Sequence, residues 1–240
     1  MSNPTAAMLV IGDEILSGRT RDANMYFLAG ELTKQGIDLK EVRVVSDDPV
    51  AIVTAVQALA KAHDQVFTSG GIGPTHDDIT ADCIARAFGV HIDVRADARA
   101  LLQAHYDKTG LELNEARLRM ARIPDGASLI DNPVSTAPGF TIENVHVMAG
   151  VPNIFQAMVA SVLPTLTGGA PLLSQTLRVN RGEGEIAETL TAAAQAFEDL
   201  SIGCYPFQVN GAFGANVVVR GTDGARVDAA VTQLAKDLDL

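Results

Sequence analysis

The chain has few cysteines, no long apolar run and a shortage of basic residues, and each absence excludes a class of protein. The 240 residues include 2 cysteines, Cys83 and Cys204, which lie far apart and lack the C-x-x-C spacing of a zinc or redox motif. No stretch approaches the roughly 18 consecutive apolar residues of a membrane span. The 29 acidic residues outnumber the 18 basic ones, which argues against nucleic acid or an anionic membrane as the main partner.

The composition that remains is that of a globular protein. It is 47% hydrophobic and 20% charged, with a formal net charge of −11. The chain opens without a basic segment followed by an apolar one, so we expect no secretory leader and a cytoplasmic location with both thiols reduced. A chain of 240 residues is long enough for one large domain and one small one.

Alternating apolar runs and helical patterns predict an α/β fold. Strands are expected at 8–11, 41–45 and 65–68, and each is followed by a helical pattern. Three such units in succession predict a parallel sheet with helices on both faces. Further on, the patterns predict helices at 97–106, 112–123 and 152–163 and strands at 128–130, 140–142 and 146–148.

A Gly-Gly-Ala-Pro turn at 168–171 separates this domain, residues 1–168, from a smaller one, residues 171–240. The pattern after the turn predicts a small α+β domain in the order β-α-β-β-α. Its elements are expected at 175–179, 183–197, 202–208, 215–220 and 225–238. Such a short segment has too little chain for a large core of its own.

The segment Thr68–Asp78, with the sequence TSGGIGPTHDD, is the strongest candidate for a ligand site. It lies between an apolar strand and a helical pattern, where glycines let the backbone approach a phosphate and the helix start offers free N–H groups. Asp77 and Asp78 at that helix start would repel a phosphate, which predicts a cation between them and the ligand. The alternative is a tight turn in which these aspartates only stabilise the helix dipole. His76 either positions a phosphate or is a solvated loop residue, and the latter is favoured.

Other polar residues are expected at the same edge of the sheet. Gly12-Asp13-Glu14 follows the first strand and Asp47 follows the second, and ligands of open parallel sheets bind beyond the carboxyl ends of the strands. Together these residues form an oxygen-rich set suited to Mg²⁺ or Mn²⁺. The set comprises Asp13, Glu14, Asp47, Asp77 and Asp78.

Two further segments have both a functional and a structural interpretation. The loop at 133–140 carries the hydroxyls of Ser135 and Thr136, which either donate hydrogen bonds to a ligand or belong to an ordinary surface connection. Arg117, Arg119 and Arg122 either reach a phosphate or form a solvated face, and the solvated face is favoured.

Four motifs in order carry a family resemblance. GDEIL-x-G at 12–18 with Asn24, GGIGPTHDDIT at 70–80, NPVSTAPGF at 132–140 and AGVP at 149–152 resemble the molybdopterin-binding fold in its CinA-type, MoaB/MogA-like branch. The resemblance covers about residues 5 to 165 and implies a three-layer α/β/α sandwich and a homo-oligomer. The last 70 residues resemble the KH-like domain of that family. The amidase domain of full CinA proteins is not matched, so nicotinamide-mononucleotide deamidation is not expected.

The resemblance also implies activities. CinA-type domains are metal-dependent pyrophosphatases on ADP-ribose, a similar domain with the GPTHDD motif precedes eukaryotic FAD synthases and hydrolyses FAD, and the broader family binds molybdopterin. Aspartates that match Asp47 and Asp78 are functional in that family. The chain departs from the CinA pattern at His76, where lysine is common, and at Ile154 and Gln156, where glutamate and lysine are common.

The leading hypothesis is therefore a divalent-metal-dependent nucleotide pyrophosphatase that acts on ADP-ribose or an FAD-like diphosphate. Asp47 and Asp78 are the expected catalytic residues, and with Asp77 they are the expected ligands of Mg²⁺, Mn²⁺ or Co²⁺, with K⁺ as an additional ion. The alternatives are a molybdopterin-binding protein without hydrolytic activity and a non-catalytic nucleotide-binding module; RNA binding is disfavoured. The expected ligand-binding residues are Gly12, Asp13, Glu14, Asn24, Ser69, Gly70, Gly71, Gly73, Thr75, His76, Ser135, Thr136 and Gly139.

Overall fold

The computed structural model describes residues 3–209 and 211–240. They form two compact units that meet in sequence between Gly169 and Ala170. None of the described helices combines the length and the apolarity that crossing a bilayer requires.

The first unit alternates strands and helices as the sequence predicts. Its strands are β1 (Thr5–Ile11), β2 (Asp38–Val45), β3 (Gln65–Ser69), β4 (Ile92–Val94), β5 (Arg122–Pro124), β6 (Ser128–Ile130), β7 (Gly139–Ile142) and β8 (Val145–Met148). Its α-helices are α1 (Asp13–Leu16), α2 (Asn24–Lys34), α3 (Pro49–Ala62), α4 (Thr80–Phe88), α5 (Ala96–Thr109), α6 (Glu115–Leu118) and α7 (Pro152–Val162). Short 3₁₀ turns follow α6 and α7.

Six of these strands form one sheet in the order β2-β1-β3-β8-β7-β6. The first four are parallel, and β7 and β6 are antiparallel to their neighbours, which confirms a mostly parallel α/β sheet. The strand β1 is buried on both faces, with Leu9 in one core and Met8 in the other. Burial on both faces is the reason that β1 is a continuous apolar run without alternation.

Helices cover the sheet on both faces. Leu28 of α2 and Phe155 of α7 belong to one core, whereas Ile52 of α3, Ile84 of α4 and Leu102 of α5 belong to the other. The result is the three-layer sandwich that the sequence predicts.

Local signals in the sequence set the start of α3 and the end of α4. The Asp48 side chain accepts a hydrogen bond from the Ala51 N–H at 2.8 Å, and Pro49 occupies the first turn of α3, where no N–H partner is needed. Gly89 ends α4 in the left-handed conformation with φ +67°.

The helix predicted at 112–123 is confirmed only in part. Only α6 and the following 3₁₀ turn are helical, and β5 occupies the end of the segment, where it pairs antiparallel with β4. Ile123 is 2% exposed, so burial beside a partner strand outweighs the local helical pattern. The short helix α1, directly after β1, was also not predicted.

The second unit has the predicted element order: β9 (Leu173–Val179), α8 (Glu183–Ala196), β10 (Ser201–Val209), β11 (Ala212–Gly221) and α9 (Gly224–Asp237). Its sheet is antiparallel in the order β10-β11-β9, and residues of α8 and α9 share a small core with it. One arginine–aromatic pair joins β9 to β10 across the central strand β11, and a second joins the neighbouring strands β10 and β11. The Arg178 guanidinium lies 4.1 Å from the Phe207 ring centroid, and Arg220 Nη2 donates to Tyr205 Oη at 3.0 Å.

Candidate functional site

The glycines after β3 make close backbone contacts that a side chain would prevent. Gly70 has φ +111°, and a Cβ there would lie 2.2 Å from the Ile11 carbonyl oxygen at the end of β1. Gly71 has φ +68°, and a Cβ there would lie 2.1 Å from Thr80 Oγ1. Both the backbone conformation and the available space therefore require glycine at these two positions.

Hydrogen bonds fix this loop to its surroundings. The Gly70 N–H donates to the Met148 carbonyl at 3.1 Å, and Thr80 Oγ1 and N–H donate to the Gly70 and Gly71 carbonyls at 3.0 and 2.9 Å. The N–H groups of Gly71, Ile72 and Gly73 have no acceptor among the described residues. Within the loop Gly70–Gly73, the backbone donors left for an anion are therefore these three, and the Gly70 N–H is not among them.

The sequence analysis placed Asp77 and Asp78 on the first turn of α4. They lie instead in the turn that precedes this helix. The Asp78 side chain accepts a hydrogen bond from the Thr75 N–H at 2.8 Å and a second from the Thr75 hydroxyl. The Asp78 N–H donates to the Thr75 carbonyl. This turn holds the Asp78 carboxylate close to Gly73, where a Cβ would lie 2.6 Å from Asp78 Oδ2.

Asp47 connects the ends of the first two strands. Its Oδ2 accepts a hydrogen bond from the Asp13 N–H at 3.0 Å, at the start of α1. The Gly12 N–H donates to the Val45 carbonyl at 3.1 Å, and this bond also joins the ends of β1 and β2. Asp47 is thus fixed at the carboxyl edge of the sheet, as its position after β2 predicts.

These segments surround one cavity of about 550 Å³. The lining combines four acidic residues with apolar ones, and the loop Gly70–Gly73, here called the glycine loop, is part of it. The lining comprises Ile11, Gly12, Glu14, Thr20, Asp47, Gly70, Gly71, Ile72, Gly73, Pro74, Asp77, Asp78, Met120, Asn132, Ser135, Ala137, Ala149, Gly150, Val151, Pro152 and Ile154. A volume of this size is within the range of small-molecule and cofactor sites.

Nine of the residues predicted from sequence therefore meet at the cavity: Gly12, Glu14, Asp47, Gly70, Gly71, Gly73, Asp77, Asp78 and Ser135. The other seven predicted residues lie outside its lining, and several of them make structural contacts. They are Asp13, Asn24, Ser69, Thr75, His76, Thr136 and Gly139.

Asn24 and Ser69 are buried, at 3% and 2% exposure. Asn24 Nδ2 donates to Ser69 Oγ and to the Gly150 carbonyl, both at 2.8 Å, so the side chain joins α2, β3 and the segment before α7. The His76 side chain is 99% exposed. At Gly139 a Cβ would lie 2.4 Å from the Val147 carbonyl oxygen, which explains this glycine by close strand packing.

Asn132 was missed in the sequence analysis, although it is 3% exposed and lines the cavity. Its Oδ1 accepts from the Val134 and Ser135 N–H groups at 3.1 and 3.2 Å, and its Nδ2 donates to Ser135 Oγ and the Ala137 carbonyl at 2.7 and 2.8 Å. The sequence does contain a signal for this residue, because Asn132 stands before a proline in a loop. An asparagine side chain in a turn commonly accepts a hydrogen bond from the backbone N–H two residues later.

Arg119 and Arg122 do not form the favoured solvated face. Both are half-buried behind the glycine loop, where Arg119 Nη2 donates to the Asp78 carbonyl at 3.1 Å and Arg122 pairs with Asp82. The Arg117 guanidinium lies 4.8 Å from the Tyr106 ring centroid. Arg119 therefore supports the turn that carries Asp78.

The carboxylates of the cavity do not form a ready-made metal cage. In the part of the chain that the structure describes, no three His, Cys, Asp or Glu side chains are grouped closely enough to hold a metal ion. Mg²⁺ in nucleotide sites is commonly held by one or two carboxylates together with substrate phosphates. The four acidic residues of the lining fit that second arrangement, in which the ligand brings part of the coordination.

Family models match both units. Residues 7–168 match the model described as a probable molybdopterin binding domain, and residues 171–240 match the model described as the middle domain of FAD synthase.

Relatives of known name are similar to most of the chain. A probable FAD synthase of Caenorhabditis elegans is 34% identical over 96% of this chain and 49% of its own length, so the chain spans about half of that relative. A CinA-like protein of Citrifermentans bemidjiense is 38% identical over 68% of this chain and 40% of its own. The crystal structure of the protein CinA from Thermoplasma acidophilum, described as of unknown function, covers 69% of this chain and 99% of its own at 34% identity and a TM-score of 0.63.

Proposed function

The chain belongs to the molybdopterin-binding-domain family in its CinA-like branch, with an FAD synthase middle domain after it, and from this premise we propose that it is a nucleotide pyrophosphatase. Its substrate class is a dinucleotide-like diphosphate such as ADP-ribose or FAD. The observation that carries the proposal is the meeting of a glycine loop with free N–H groups and four acidic side chains at one cavity. Amide donors suit a phosphate, and the acids require a cation beside it.

The glycine loop would hold the diphosphate. The N–H groups of Gly71, Ile72 and Gly73 would donate to phosphate oxygens, and the absence of side chains at Gly70 and Gly71 lets the backbone come close. Ile154, Met120 and the other apolar lining residues would contact the remainder of the nucleotide.

Asp47 and Asp78 would act at the reacting phosphorus. In hydrolysis, a water oxygen forms a bond to one phosphorus, the bridging P–O bond breaks, and the bridging oxygen leaves with the other phosphate. Asp78, held in its turn by Thr75, would accept a hydrogen bond from the attacking water and orient it. A Mg²⁺, Mn²⁺ or Co²⁺ ion held by Asp47, Asp77 or Asp78 would supply charge neutralisation of the phosphoryl oxygens.

The experiment is to incubate the protein with ADP-ribose and with FAD, each with Mg²⁺, Mn²⁺ or Co²⁺ plus K⁺, and to measure AMP. We expect AMP only when a divalent ion is present, and a loss of at least about 100-fold in turnover for Asp78→Asn. An asparagine retains an oxygen that accepts from Thr75, so the turn persists. The matched control is Asp125→Asn, at an exposed turn outside the cavity. Undiminished turnover of Asp78→Asn contradicts the role given to Asp78.

A second candidate function is pterin binding without hydrolysis, which the description of the family of residues 7–168 favours. Pterin fluorescence that copurifies with the protein, together with no AMP from either substrate under any metal, would support this candidate over the first.

A further inference from the structure

The loop of residues 131–138 between β6 and β7, here called the Ser135 loop, contains one strained residue. Thr136 has φ +66°, which places a β-branched side chain in the left-handed region. Such residues are outliers there, because Cβ approaches the following carbonyl. The strain persists only where surrounding contacts impose it.

Two contacts impose the Thr136 conformation. Its N–H donates to the Asn132 carbonyl at 2.9 Å. Its hydroxyl lies 3.1 Å from Nδ1 of His105, a half-buried residue of α5. The first contact lies within the loop, whereas the second anchors the loop to a separate helix.

The strained residue lies between two residues of the cavity. Ser135 and Ala137 line the cavity, and Thr136 does not. The conformation of Thr136 therefore bears on the direction in which both neighbours face, although Thr136 itself does not line the cavity. Strained residues cluster at binding sites, where the surrounding contacts fix the geometry of the site before a ligand binds.

The hydrogen bonds of Ser135 define what it offers to a ligand. Asn132 Nδ2 donates to Ser135 Oγ at 2.7 Å, so the serine oxygen already accepts. A hydroxyl has one hydrogen to donate, and that hydrogen is left for a partner in the cavity. Ser135 can therefore donate to an acceptor in the cavity such as a phosphate oxygen.

We infer that His105 and Thr136 are a positioning pair, which holds the Ser135 hydroxyl in place to donate to a phosphate oxygen of the bound nucleotide. The inference rests on the proposed function for the identity of the ligand. The contact by which His105 holds the Ser135 loop does not depend on the proposed function.

The test uses a matched threonine–histidine pair elsewhere in the same chain. Thr141 Oγ1 lies 2.9 Å from His146 Nδ1, and neither residue lines the cavity. The variants are therefore Thr136→Val, which removes the hydroxyl and keeps the β-branch, Thr136→Ser, which keeps the hydroxyl, and Thr141→Val as the control.

The first measurement needs no ligand. Hydrogen exchange of the Ser135 and Thr136 amides should accelerate in Thr136→Val and in His105→Phe, and should stay at the wild-type rate in Thr136→Ser and Thr141→Val. Unchanged exchange in both Thr136→Val and His105→Phe overturns the inference.

The second measurement is the dissociation constant of ADP-ribose with Mg²⁺ by calorimetry. Thr136→Val should weaken binding about tenfold with turnover changed less than about twofold, while Thr136→Ser and Thr141→Val bind like the wild type. Wild-type affinity in Thr136→Val overturns the inference. If the wild-type protein itself binds no ADP-ribose, the proposed substrate fails, and accelerated exchange still supports the positioning pair.

Discussion

The Thr80 hydroxyl donates a hydrogen bond to the Gly70 carbonyl across 3.0 Å, and this bond joins the first turn of α4 to the glycine loop. Thr80 is 0% exposed, so neither group has water as an alternative partner. The loop is thereby fixed by a buried contact and does not depend on a ligand for its conformation.

Replacing Thr80 by valine should therefore destabilise the fold. The change keeps the shape of the side chain and leaves the buried Gly70 carbonyl without this donor, which costs about 1–3 kcal/mol in the free energy of unfolding. Thr54→Val, at an exposed position of α3, is the control and should change that free energy by less than about 0.5 kcal/mol. Urea denaturation measures both, and equal effects would contradict the prediction.

Gly71→Ala should be more harmful than Gly18→Ala, although the two glycines have nearly the same backbone conformation, φ +68° and +71°. Both alanines are strained by about 1–2 kcal/mol. Only the alanine at position 71 meets another group, Thr80 Oγ1, whereas position 18 has nothing within 4 Å. We expect Gly71→Ala to lose about 1–3 kcal/mol more in urea denaturation, and a difference near zero would show that the loop relaxes.

His146 should make the stability depend on pH. It is 3% exposed and packs on Phe67, with ring centroids 4.9 Å apart, and burial lowers its pKa from 6.5 to about 4. The unfolded chain takes up a proton near pH 6.5 and the folded chain only near pH 4, so this residue lowers the free energy of unfolding as the pH falls through that window. The loss is on the order of 3 kcal/mol and is complete below pH 4.

Chemical denaturation between pH 4 and 7 measures this effect. His146→Gln should flatten the curve in that window, and His76→Gln, at a fully solvated residue, should leave its slope as in the wild type. Identical slopes in His146→Gln and the wild type would assign the pH dependence to other groups.

Ile154 offers a test of one of the positions at which the sequence departs from the CinA-type pattern. It lines the cavity, whereas Gln156 is exposed and does not. Ile154→Glu adds a carboxylate beside the other acids and should lower the Mg²⁺ concentration for half-maximal AMP release about fivefold, the equivalent of about 1 kcal/mol of added attraction. Gln156→Glu carries a similar charge change outside the cavity, and an equal response of the two variants would contradict the prediction.

The amino-acid sequence by itself determined the order of most elements and the edge of the sheet at which the site lies. The sequence places Gly12, Asp47 and Gly71 together, because each follows a strand of a parallel sheet and the carboxyl ends of such strands meet. The glycines at 70 and 71 mark the same edge of the sheet, since a side chain at either position would come too close to Ile11 or Thr80.

Only the tertiary structure decided which polar residues face the cavity and which support the fold. Asn24 and Ser69 belong to the same motifs as the cavity residues, yet they bond to each other in the interior, and Asn132 lines the cavity without having been predicted. The strand β5 replaced the end of a predicted helix because a partner strand was present to pair with it. Side-chain direction and strand pairing depend on contacts between residues far apart in sequence, and local patterns do not contain them.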